Sequence, residues 1–157
     1  MAKVLITYFS ATGNTEKMAR LVADGAEKAG GQVTVKPTGE VDAGQLLDYD
    51  AIIVGSPTYY GAPAAEVRKL FDESVRYHGQ LEGKVGAAFA SSANIGGGNE
   101  TTIMAVLQSM LIHGMIIRGN SKGDHYGPVS INAPDARVEK QCRELGRRVA
   151  ELADKVA

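Results

Sequence analysis

The chain has 157 residues, 44% of them hydrophobic and 22% charged, and its 17 basic and 18 acidic side chains leave a net charge of −1. That size allows one well-buried core in a single domain over residues 1–157, and charges mixed throughout the chain exclude a nucleic-acid footprint and a polybasic membrane patch. One cysteine, Cys142, excludes a disulfide framework and has no metal-ligand companions, and no apolar run approaches the roughly 18 to 20 residues that cross a bilayer, so a cytoplasmic protein without metal or membrane insertion is expected.

Val4 to Tyr8 reads as a buried strand, and Thr15 to Lys28 as a helix with Met18, Leu21, Val22 and Ala26 on one side. Gly30-Gly31 stops that helix, and Gln32 to Lys36 follows as a short strand broken by Pro37-Thr38-Gly39. Ala51 to Gly55 is apolar on both faces, the mark of a strand covered by helices on both sides. Ala64 to Val75 predicts a second helix, Val85 to Ala90 a strand, Glu100 to His113 a helix, Met115 to Arg118 a strand and Asp135 to Val156 a closing helix. Asn120 to Asn132 lacks periodicity and is either a surface loop or a loop holding a short strand near Val129-Ser130-Ile131. This alternation predicts an α/β fold, a five-stranded parallel sheet of order 2-1-3-4-5 between two helical layers. A ligand then sits beyond the carboxyl ends of the strands, where the loops leaving strands 1, 3 and 4 meet.

The first of those loops, Ser10-Ala11-Thr12-Gly13-Asn14-Thr15, joins a strand to a helix start. Unpaired backbone N–H groups and the positive end of the helix dipole favour an anion there. The donors are neutral, because no Lys or Arg stands between Lys3 and Lys17. The chain has no Gly-Lys-Ser or Gly-Lys-Thr, which argues against a nucleoside-triphosphate loop, and the single Gly13 argues against a dinucleotide fingerprint. One terminal phosphate of a mononucleotide fits best. The competing reading is a capped helix, but one cap accounts for one hydroxyl and not four polar donors in six positions.

The second loop, Ser56 to Pro63, carries Tyr59 and Tyr60, which either stack on a flat ligand or pack the loop onto its own domain. The third, Ser91 to Gly98, offers donors and close backbone approach, or is an idle flexible loop. None of the stretches Phe9 to Asn14, Ser56 to Pro63 and Ser91 to Asn99 holds an Asp or Glu, so added negative charge on a ligand meets no carboxylate repulsion there. His113, closing a helix, reads by itself as a dipole partner, and His78 and His125 as solvated surface.

Tyr8 through Ala19 resembles the flavodoxin signature, whose loop wraps the phosphate of flavin mononucleotide (FMN). Gly55 to Gly61, Gly83 to Gly86 through Gly96 to Thr102, and His113-Gly114-Met115 resemble the WrbA-type branch of that superfamily, flavin-dependent NAD(P)H:quinone oxidoreductases. The resemblance runs over nearly the whole chain. It implies FMN held by Ser10, Ala11, Thr12, Gly13, Asn14 and Thr15, by Pro57, Thr58, Tyr59, Tyr60 and Gly61, and by Ser91, Ser92, Ala93, Asn94, Gly96 and Gly97. It further implies that His113 contacts flavin across a subunit boundary of a homo-oligomer, a dimer or tetramer.

The implied reaction carries a hydride from NAD(P)H through FMN to a quinone, with the flavin rather than a side chain performing the chemistry. Departures from the branch are Tyr59-Tyr60 in place of Arg-Phe, the lack of any Trp, and the lack of the usual insertion near the fifth or before the fourth strand. Tyr77-His78 fall roughly where the Trp-lined pocket wall would lie. Two further readings stay open: a flavodoxin-type one-electron carrier serving a redox-partner protein, and an FMN-binding subunit or regulatory module.

Overall fold

Side-chain alternation along three apolar strands divides the core in two, because successive residues of a strand point to opposite faces. The computed structural model describes residues 1–157. β1 (Lys3–Tyr8) leads to α1 (Asn14–Lys28), β2 (Gln32–Pro37) and two 3₁₀ turns at Thr38–Glu40 and Ala43–Asp48. β3 (Ala51–Tyr59), β4 (Ala62–Pro63) and α2 (Ala65–Ser74) follow, then β5 (Val85–Ser92) and α3 (Asn99–Ile112). The short β6 (Ile116–Ile117) and β7 (Val129–Ile131) precede α4 (Ala136–Val156). Val4, Ile6, Ala51, Ile53, Val85 and Phe89 pack toward α1 and α4. Leu5, Ile52, Val54, Ala88 and Ala90 pack toward α2 and α3.

The parallel sheet has the order β2-β1-β3-β5-β6, with β7 also beside β5. β6 pairs with Val85 and Gly86 at the start of β5, and β7 with Ala90 to Ser92 at its end, so the fifth position is shared by two short strands. The predicted three-layer architecture and strand order are therefore present, and the open question over Asn120 to Asn132 resolves to a loop ending in a strand.

Two boundaries differ from the sequence reading. β3 does not stop at Gly55 but continues to Tyr59 and folds back on β4 as an antiparallel hairpin. β1 ends at Tyr8, opposite Gly55, so from Ser56 onward β3 keeps only β5 as a parallel neighbour, and Pro57 is tolerated where one side is open. β5 runs on to Ser92 because β7 supplies it with a partner there.

α1 and α4 cross at two glycines. A Cβ on Gly25 would overlap the Arg143 carbonyl, and one on Gly146 the Val22 carbonyl, so the backbones touch. Asp24 fixes the crossing from outside, accepting from Arg143 at 2.7 Å and Lys28 at 2.9 Å. Since backbone on backbone cannot yield, Gly146→Ala is expected to destabilise the fold by at least about 2 kcal/mol in urea unfolding. An unchanged midpoint would contradict this packing.

α2 and α3 both run away from the carboxyl ends of the strands, which sends His113 to the opposite end of the sheet. There His113 is buried, with Nε2 at 2.8 Å from Ser74 Oγ. Ser74 Oγ donates to the Phe71 carbonyl at 2.7 Å and so accepts from Nε2–H, leaving Nδ1 bare and without a partner. Burial, and next the neighbouring His78, hold the His113 pKa below its usual 6.5. His113 is thus a neutral, buried hydrogen-bond partner and not the charged dipole partner its place at a helix end suggests. The unfolded chain takes up a proton that the folded chain resists, so stability is full above about pH 6.5 and declines as pH falls below it. Chemical unfolding at stepped pH should show this decline in the parent and a flatter profile in His113→Gln; identical slopes would exclude the assignment.

Candidate functional site

The carboxyl ends of β1, β3 and β5 and the amino ends of α1 and α3 gather on one edge of the molecule. The chain leaves β1 with the Phe9 N–H donating to the Gly55 carbonyl at 3.2 Å. Ser10 Oγ then accepts from the N–H groups of Gly13 at 3.1 Å and Glu16 at 3.3 Å, drawing the loop around the start of α1. Gly13 has φ +96°, a left-handed turn that a side chain would strain. The helix-cap reading is therefore correct for Ser10 alone. The amides of Ala11, Thr12, Asn14 and Thr15 are engaged by no other group of the chain and stand at the positive end of the helix. Glu16 turns its carboxylate to Arg20 at 2.8 Å, so the one acid of this turn is compensated.

Thr15, expected as a donor to the ligand, is buried, and its Oγ1 lies 2.9 Å from Ser91 Oγ. Those two hydroxyls hold α1 to the end of β5 and are directed at each other.

The second loop is a hairpin, with Thr58 opposite Pro63 and Tyr59 opposite Ala62. Tyr60 and Gly61 at its tip have φ +50° and +76°, the two positive values of a type I′ turn. The segment that reads as a loop in the sequence is thus a tight hairpin. Left-handed backbone suits Gly61 and costs an aromatic residue about 1–3 kcal/mol, a strain of the kind that collects at ligand sites. Tyr60 is fully exposed and Tyr59 half so.

Polar side chains, the buried Asn99 foremost, lock the hairpin to the third loop. Asn99, the first residue of α3, accepts from Thr58 Oγ1 at 3.2 Å and donates to Ser92 Oγ at 2.9 Å. Thr101 Oγ1 lies 2.6 Å from the Gly61 carbonyl and 2.9 Å from that of Gly98. Gly98, at φ +108°, lets the loop approach so closely that a Cβ there would lie 2.5 Å from Gly61 Cα. Ala93, Asn94, Gly96 and Gly97 form the exposed rim, steadied by Ser92 Oγ donating to the Asn94 carbonyl at 2.9 Å and Gly97 N–H to the same oxygen at 3.2 Å.

Asn99 and Thr101 were not among the sequence-predicted site residues. The signal that could have found them is a polar pair in the first turn of a helix directly after glycines, the place where side chains satisfy free backbone or loop groups.

Seventeen of the eighteen predicted residues therefore lie in the three adjoining segments. The eighteenth, His113, does not join them in this chain, and neither do Tyr77 and His78. Tyr77 packs its hydroxyl against Gly44, and the His78 ring lies 6.0 Å from that of His113, both at the far end of α2 and α3. Within one chain they stand apart from the three segments, because the chain has already run the length of α2 before reaching them.

The site thus pairs four free amides and neutral hydroxyls, suited to a phosphate dianion, with an exposed aromatic hairpin and a glycine-rich rim, suited to one face and edge of a planar ring. No group of His, Cys, Asp and Glu side chains is arranged to hold a metal ion. No helix is long and apolar enough to cross a membrane.

A profile of the flavodoxin family matches residues 6–102. A protein of Archaeoglobus fulgidus named NAD(P)H dehydrogenase (quinone) is 35% identical over 190 aligned positions, covering 99% of this chain and all of the relative. A flavodoxin of Aquifex aeolicus is 39% identical over 160 positions, covering 96% of this chain and 86% of the relative. Among solved structures, a flavodoxin described as a WrbA-like protein from Agrobacterium tumefaciens superposes with a TM-score of 0.85 at 26% identity, each chain covered in full. The matched residues span β1 through the start of α3 and so include all three loops of the site, and the chain belongs to the flavodoxin family.

Proposed function

We propose that this chain binds FMN and acts as an NAD(P)H:quinone oxidoreductase. The observation that carries the reading is the set of four uncommitted amides at the start of α1, facing the same edge as the Tyr59-Tyr60 hairpin. FMN, when bound, supplies the redox chemistry and accepts electrons from a nicotinamide. The residues that would hold its phosphate are Ser10, Ala11, Thr12, Asn14 and Thr15, through the free amides of the last four and the hydroxyls of Ser10 and Thr12, with Gly13 supplying the turn that brings them together. Tyr59, Tyr60 and the rim from Ser92 to Gly97 would flank its ring. Thr15, Ser91, Thr58, Asn99 and Thr101 keep these parts in register. The absence of carboxylates from the three segments leaves added electron density on the ring unopposed.

The relatives named NAD(P)H dehydrogenase (quinone) support the nicotinamide and quinone as the substrate pair. A homo-oligomer accords with the outer face of α3, which bears no charged residue from Thr101 to Ile112 and exposes Leu111 and Ile112, beside Val75 of the preceding turn. A cytoplasmic site of action accords with the single, buried Cys142, whose thiol burial pushes up to about 12.

A second reading, the one-electron carrier, is favoured by one observation. The Archaeoglobus alignment runs to 190 positions against 157 residues here, so that relative carries segments this chain lacks, whereas the Aquifex flavodoxin aligns over 160.

Steady-state oxidation of NADH or NADPH by benzoquinone, measured on FMN-loaded protein, should show turnover. Absence of turnover, with a reductive titration that resolves two separate one-electron steps, would give preference to the carrier. Asn99→Ala leaves the Thr58 and Ser92 hydroxyls without their partner and should weaken FMN by about tenfold, or about 1.4 kcal/mol. Unaltered affinity in fluorescence titration would remove Asn99 from the account.

A further inference from the structure

Across the sheet from β2, loop 118–122 and the outer face of α4 enclose a groove of about 420 Å³. Arg118, Lys122, Lys140, Arg147 and Arg148 line it with a single carboxylate, Glu144, and no apolar side chain. Glu144 is committed to Arg147, at 2.6 and 3.1 Å, and Arg147 also holds Glu151 at 2.6 Å. Each of Arg20, Lys28, Arg68, Arg137 and Arg143 has a carboxylate within 4 Å; Arg118, Lys122, Lys140 and Arg148 have none.

Arg148 is only 8% exposed. Its Nη2 donates to the carbonyls of Arg118 and Gly119 at 3.3 and 2.5 Å, which secures the broken sheet edge but neutralises nothing. Burial, and next the neighbouring Arg118, disfavour its charged form. A nearly buried guanidinium whose one neighbouring carboxylate, Glu144, is hydrogen-bonded to Arg147 instead, and which is faced by three more free cations, is unfavourable until an anion enters. The edge-closing role explains Arg148 alone; the side chains of Arg118, Lys122 and Lys140 donate to no group of the chain.

Near the end of β2, Glu40, Asp42, Asp48 and Glu73 line a second groove that contains no cation. Charges mixed along the sequence thus gather by sign at these two grooves. The resulting field drives anions toward the α4 groove and away from the β2 edge.

We infer that the groove between loop 118–122 and α4 binds a small phosphate-bearing ligand of at least two negative charges, separately from the phosphate loop at α1. Its polar lining selects for anionic oxygens rather than a base or an acyl chain, and guanidinium forks suit such oxygens. The Asn120 side chain accepts from the Lys122 N–H at 3.1 Å and so presets the loop. Two sources carry this chemistry: a free polyphosphate and the phosphates of a nucleotide.

The test is amide NMR titration with inorganic pyrophosphate, NADPH and NADH, each on protein with and without FMN, so that a failure of the flavin reading leaves the result interpretable. Pyrophosphate should saturate with a dissociation constant at or below about 1 mM at low salt, shift Ser121, Lys122, Lys140 and Gln141, and weaken as salt rises. The double variant Lys122→Gln, Lys140→Gln, two exposed positions, should weaken it by at least about tenfold with the unfolding midpoint and FMN affinity preserved. NADPH binding the same residues more tightly than pyrophosphate and NADH identifies the nucleotide as the source; pyrophosphate binding at least as tightly as NADPH identifies the free anion. No saturable shift of these residues below about 10 mM pyrophosphate, or an unchanged affinity in the double variant, overturns the inference.

Discussion

A parallel sheet forces every strand to end, and every following helix to begin, on the same edge. That constraint collects the free N–H groups of α1 at the point where β3 and β5 also release their chains. An α-helix start cannot satisfy its own first amides, so the fold delivers a positive concavity at no cost in net charge. With the amides of Asn14 and Thr15 unclaimed, those of Ala11 and Thr12 free in the loop before them, and only Ser10 spent on capping, the start of α1 favours an oxyanion.

The rest of the site depends on how firmly two loops are held against that helix. Thr15 with Ser91 ties α1 to β5, Asn99 ties β3 to β5, and Thr101 ties the hairpin tip to α3. The Thr15–Ser91 bond is buried and the two Asn99 bonds partly so, where an unmade partner is expensive, while the Thr101 bond closes the tip at the surface; together they convert loops of small residues into a fixed frame. Gly61 and Gly98 permit the approach, and Tyr60 accepts left-handed backbone to complete the turn. Rigid placement of this kind preserves binding energy for ligand orientation.

The layers and strand order were legible because Ala51 to Gly55 and Val4 to Tyr8 are apolar on both faces and alternate with helical periodicity. The loop from Ser10 to Thr15 was legible as a strand-to-helix turn rich in donors because that chemistry is local to six residues. The hairpin was hidden by Pro57, which reads as a loop signal and is tolerated only because β1 has already ended. Asn99 and Thr101 were missed because their partners, Thr58 and Gly61, are distant in sequence and meet only after folding. His113 lies at the opposite end of α3 from the three segments of its own chain, so a contact with flavin from it is one that only a second subunit would make. Charge segregation was equally invisible, since Arg118 and Lys122 meet Lys140 and Arg148 only when α4 closes on the sheet edge.

The central claim is that the start of α1 grips a phosphate, and that this grip anchors the ring. Fluorescence titration of the flavin-free protein with FMN and with riboflavin, identical but for the phosphate, tests it directly. Losing two to three charge-assisted bonds, the account predicts riboflavin at least about a hundredfold weaker. Equal affinity for the two would contradict it.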